Sequence, residues 1–105
     1  MFVITKTFKV SKNHSASFID RFKSNSPLFH FDGFIKREVL LQSKHNDEDV
    51  IQVRVMFKER KDYYRWEGSP EHIQMHKNQK EKPQGILHME SHTFELIIED
   101  LYEEI

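Results

Sequence analysis

The order of periodicities along the chain constrains its fold more than any other feature. Alternating apolar positions come first, then helical spacing, two further alternating stretches, helical spacing again, and a last alternating stretch. In the opening segment Phe2, Ile4, Phe8 and Val10 fall on one face and Val3, Thr5, Thr7 and Lys9 on the other, as a half-buried strand requires. Lys6 lands on the apolar face, where an unpaired buried ammonium is costly. Ser11 or Asn13 then offers a helix N-cap, with Ala16, Phe18, Ile19 and Phe22 on one side of a helix ending near Ser24.

Gly33 punctuates the chain before a strand over residues 34–43. A polar turn over 43–49 leads into a strand over 50–58, in which Ile51, Val53, Val55 and Phe57 alternate with Gln52, Arg54, Met56 and Lys58. Residues 59–66 form a short helix stopped by Gly68. Ser69-Pro70-Glu71 starts another, with serine as cap, proline pre-set at the first position and an acid in the first turn. That helix carries His72, Ile73 and His76. A polar loop over 77–85 precedes a last strand over 86–99.

The order β-α-β-β-α-β is the split, ferredoxin-like α+β plan, a four-stranded antiparallel sheet with helices on one face, here as a single domain over residues 1–105. The opposite face would hold Val3, Ile35, Val39, Met89 and Ile97. Two sheets packed face to face would cover them, so the expected assembly is a homodimeric α+β barrel.

Composition narrows the chemistry. Without cysteine there are no disulfides, thiolate nucleophiles or sulfur metal sites, which leaves histidine and carboxylate as the strong metal ligands. Sixteen basic and seventeen acidic residues give a net charge of −1, which attracts neither nucleic acid nor anionic lipid. The sheet also lacks the aromatic motif with which related folds stack RNA bases. No apolar stretch is long enough to span a membrane and no signal-peptide core follows Met1, so the expected location is the cytoplasm. Nine Phe, three Tyr and one Trp supply walls for a flat ligand or simply a core.

The most informative local block is Tyr63-Tyr64-Arg65-Trp66-Glu67-Gly68-Ser69-Pro70-Glu71-His72-Ile73-Gln74-Met75-His76. A neutral imidazole on such a helix is suited to haem iron, provided its other nitrogen is held by a hydrogen bond. The plain alternative is a histidine at the surface or at the edge of the core. His72 and His76 share a helix face, as metal-binding pairs do, but no third ligand is evident. Neither that pair nor His88 and His92 on one strand face demands more than solvation.

Val3 to Val10, Asp32-Gly33-Phe34, the strand ending Met56-Phe57-Lys58 and the Trp66…His76 block together resemble the antibiotic biosynthesis monooxygenase domain, in particular its haem-degrading branch. The resemblance covers nearly the whole chain. It implies a homodimer that binds haem as both cofactor and substrate, with His76 as axial iron ligand and Trp66 pressed on the porphyrin. It further implies consumption of dioxygen and an external reductant, with an opened tetrapyrrole and free iron as products. Phe22 and Ile73 would add apolar wall, and Lys77, Lys80 or Lys82 would meet the haem carboxylates. Where the family carries an asparagine on the first strand, this chain has Lys6. Its ammonium suits a hydrogen bond to dioxygen or a propionate; otherwise its stem lies on apolar surface and its charge reaches water. The alternatives are a cofactor-independent monooxygenase of a small aromatic substrate and a non-catalytic haem-binding protein.

Overall fold

A computed structural model of the chain describes residues 1–43, 47–78 and 83–105. The elements run β1 (Phe2–Ser11), α1 (Ser15–Asp20), β2 (Phe34–Ser43), β3 (Glu48–Phe57), α2 (Arg60–Glu67), α3 (Pro70–Asn78) and β4 (Ile86–Glu95). Single 3-10 turns at Lys12–His14 and Pro27–His30 flank α1. The sheet is antiparallel with strand order β2-β3-β1-β4, so the ferredoxin-like α+β expectation holds.

β1 is central because it pairs over its whole length with β3 on one side and with β4 on the other. Directly opposed residues share a face. The helix side therefore carries Phe2, Ile4, Lys6, Phe8 and Val10 of β1 beside Phe57, Val55, Val53 and Ile51 of β3. Two buried clusters form on it. In one, Phe2, Ile4, Leu28, Phe57 and Trp66 bring α2 onto the sheet; in the other, Val10, Phe18 and Ile51 seat α1. Burying side chains of this size yields roughly 1.5–3 kcal/mol each, which makes the two clusters the main cohesive term.

Three polar devices fix the connections. Buried Asp49 accepts from Lys12 Nζ at 2.8 Å and from Ser15 Oγ at 2.7 Å, tying the start of α1 to β3. Asp62, in the first turn of α2, accepts from the Glu59 N–H at 3.1 Å and pairs with Arg65 at 2.8 Å. Ser69 Oγ donates to Trp66 O at 2.7 Å and accepts from the His72 N–H at 3.2 Å, so one hydroxyl closes α2 and caps α3.

Several local expectations are corrected. The first helix is only Ser15–Asp20, with neither Ser11 nor Asn13 capping it; Ser11 Oγ instead bonds His14 Nδ1 at 2.8 Å, and Ala16 is exposed. The last strand stops at Glu95 rather than residue 99, and Ile97 lies beyond it, 80% exposed.

The open face is also different. Val39 stands opposite Val53 and packs on the α1 cluster, and Met89 stands opposite Phe8, so both belong to the helix side. Register irregularities between Phe34 and Lys36 in β2 and between Lys9 and Val10 where β1 meets β4 shift the phase by one residue, which exchanges the faces. The far face instead carries Val3, Met56, Leu40 and Phe94, among Arg54, Glu38 and the triplet His88, Glu90, His92. Residues 44–46 of the 43–49 turn and 79–82 of the 77–85 loop, with Lys80 and Lys82, lie outside the described residues.

Candidate functional site

On the helix side of β1, Lys6 stands between the two buried clusters, with Phe2 and Ile4 in one and Val10 in the other. Lys6 occupies the row that links Val53 to Ser91 across the sheet, and it is exposed although it faces the helices. Met89, Ser91 and Thr93 of β4 are exposed on the same side, along the edge strand of the sheet. Exposure resolves the conflict of a lysine on an apolar face, since an ammonium that reaches water carries no burial cost.

One bank of the cleft is α2 and α3. Trp66 is only 5% exposed and is held by Phe31, edge to face at 5.2 Å between centroids, and by His72 at 5.1 Å. His76 is exposed on α3, four residues after His72, with their Nε2 atoms 2.9 Å apart. His72 Nδ1 lies 3.1 Å from the carbonyl oxygen of Glu67. A carbonyl only accepts, so Nδ1 carries the His72 proton and Nε2 presents its lone pair to a proton on His76 Nε2.

Burial, then the neighbouring His72, then Lys6 push the His76 pKa below its ordinary 6.5, while Glu67 opposes the shift. Together these effects favour the neutral ring, the form that ligates a metal.

Phe22 belongs to the other bank, half-buried beside Phe18 at 5.5 Å, with the Arg37 guanidinium 5.3 Å from its ring centroid. Ile73 sits on α3 with its side chain 46% exposed, and Lys77 is exposed one residue beyond His76. Trp66, His76, Lys6 and Phe22 thus stand on four different segments of the helix side, with Trp66 buried in one cluster, Phe22 packed on the other, and Lys6 and His76 exposed. Sequence reasoning pairs His72 with His76 but misses its part in orienting the His76 proton, and it misses the Met89–Thr93 stretch, whose facing depends on the shifted register. Helical spacing alone points to His72.

A profile described as antibiotic biosynthesis monooxygenase matches residues 1–78. The chain belongs to the antibiotic biosynthesis monooxygenase family. Among curated members, a protein of Bacillus thuringiensis named heme-degrading monooxygenase is 30% identical over 87 residues, spanning 83% of this chain and 81% of its own. A Bacillus cereus crystal structure described as a monooxygenase of this family superposes with a TM-score of 0.83 at 25% identity, over 98% of each chain. The haem-degrader MhuD of Mycobacterium tuberculosis, with two hemes in its active site, gives a TM-score of 0.75 at 16% identity, over 95% of this chain and 99% of that one. SnoaB of Streptomyces nogalater, a cofactor-independent oxygenase, gives 0.63 at 14% identity, over 97% and 98% of the two chains. A protein described as a haem degrader and one described as a cofactor-independent oxygenase thus share this one fold.

Proposed function

We propose that this chain is a haem-degrading monooxygenase, one domain over residues 1–105 acting as a cytoplasmic homodimer, with dioxygen and an external reductant as co-substrates. The observation that carries the proposal is His76: an imidazole favoured in its neutral form, at the edge of a cleft that lies between two aromatic clusters over an open sheet. The curated relative named for haem degradation supports the substrate.

Bound haem supplies the redox centre for dioxygen and is itself the molecule oxidised. Everything else falls to the chain. His76 would hold the iron through Nε2 in the neutral tautomer that carries its proton on Nδ1. Trp66 is fixed in the core at the base of the bank, so its edge gives a rigid wall rather than a mobile lid. Phe22 and Ile73 add apolar area. Lys6 sets a positive charge on the sheet side and Lys77 another in the last turn of α3, suited to haem carboxylates or to the oxygen end of the reaction. Leu40 and Phe94, 42% and 54% exposed on the far face, are the apolar residues that a second copy would cover.

Hemin titrated into the protein and then given ascorbate under air should lose its Soret absorbance with release of chelatable iron. A stable Soret band under those conditions would make the protein a haem binder and not an oxygenase. A second reading, a cofactor-independent monooxygenase, draws on Lys6: an ammonium near a neutral imidazole suits an anionic aromatic substrate. It predicts oxygen consumption with a phenolic substrate and no Soret change with hemin.

A further inference from the structure

The pairing of His72 with His76 has chemistry apart from haem. The two Nε2 atoms are 2.9 Å apart. Two nitrogens bound to one zinc ion at about 2.0–2.1 Å, subtending 90–110°, are themselves about 2.9–3.4 Å apart. The rings are thus already at chelate separation, on consecutive turns of α3.

The tautomer is also prepared on one side. His72 Nδ1 donates to the Glu67 carbonyl, the backbone anchor that metal-bound histidines commonly use, and this leaves Nε2 unprotonated. The Glu67 carboxylate lies 3.8 Å from the same ring and favours a cation there. Lys6 opposes it from the sheet side. His76 has only to shed its Nε2 proton to water and take one up at Nδ1, a tautomer change with no net loss of a proton. Trp66, packed against His72 at 5.1 Å, keeps the first ring from turning away.

We infer that His72 and His76 form a two-imidazole chelate for a borderline first-row dication such as Zn²⁺ or Ni²⁺, completed by water. Among the described residues no group of three or more imidazoles and carboxylates is placed to hold a metal, so this site is open to solvent rather than closed like a structural zinc site. The inference rests on ring geometry and is independent of the haem reading, although both use His76 Nε2.

The test is calorimetric titration of Zn²⁺ into the purified haem-free protein. The expected result is one site per chain, with affinity reduced at least about ten-fold by His72→Gln and by His76→Gln, and unchanged when His88 and His92 are both replaced by Gln. Unchanged thermal melting of the variants would assign the loss to the ligands, since both substitutions lie on the cleft side of a helix whose cap is Ser69. Absence of saturable binding would overturn the inference, as would binding that survives His72→Gln or that disappears with His88 and His92. None of these results alters the hemin experiment, which is read from the Soret band, so the two readings fail separately.

Discussion

Replacing Trp66 with Ala should unfold much of the margin on which the protein exists, before any effect on ligand is considered. A tryptophan buries about 150–250 Å², and Trp66 is 5% exposed. At about 25 cal/mol per Å² the gross loss is about 4–6 kcal/mol, and allowance for a compact unfolded chain brings it to about 3–4 kcal/mol. That agrees with the roughly 3–5 kcal/mol typical of large aromatic truncations. The cavity would lie among Phe2, Ile4, Leu28 and Phe57, which cannot all follow the missing ring because β1 and β3 hold them in register. A domain of this size loses about 4–8 °C per kcal/mol, so melting should fall by about 12–30 °C. Urea unfolding of the haem-free protein and its Trp66→Ala and Trp66→Phe variants measures this directly, the phenylalanine keeping much of the ring. A loss below about 1 kcal/mol for Trp66→Ala would refute the claim that Trp66 is first a core residue and only at its edge a pocket wall.

Gly33 has φ +95°, and a Cβ there would come within 2.4 Å of the Asp62 carboxyl carbon, so Gly33→Ala should cost about 2–3 kcal/mol in urea unfolding and detach the first turn of α2. Burial and then the hydrogen bond to Glu67 raise the Tyr63 pKa above its ordinary 10.0, so the folded chain keeps a proton that the unfolded chain loses. Stability should therefore fall as pH rises above about 10, and Tyr63→Phe should flatten that limb in unfolding experiments at pH 9–11. Phe94→Glu, on the far face, should shift sedimentation of the proposed dimer to that of a monomer while leaving far-ultraviolet circular dichroism unchanged; an unaltered sedimentation coefficient would place the interface elsewhere.

Much of this architecture is written in short-range patterns. The alternation of β1 and β3, the Ser69-Pro70 helix start and the Gly68 stop all depend on neighbours in sequence, and each is found where its residues predict. Features that depend on pairing between strands are less accessible. A single slip near Lys9 puts Met89 on the helix side instead of the far face, and alternation cannot reveal it because both faces of β4 carry apolar side chains. The first helix is shorter than its apolar spacing suggests because no side chain caps it and Ser11 is engaged with His14. Lys6 is unfavourable in a closed core and reasonable in a cleft, and only the gap between the two buried clusters decides between them. The cleft's imidazole was visible as a residue type at a spacing. Its tautomer was not, because that is set by the Glu67 carbonyl five residues before His72.

The most direct measurement is absorbance titration of hemin into the wild-type chain and into His76→Ala. The account predicts a saturable, shifted Soret band at one haem per chain for the wild type, and only the spectrum of unligated hemin for the variant. An identical shifted band in both proteins would contradict it, because iron would then be held by some group other than the imidazole at the edge of this cleft.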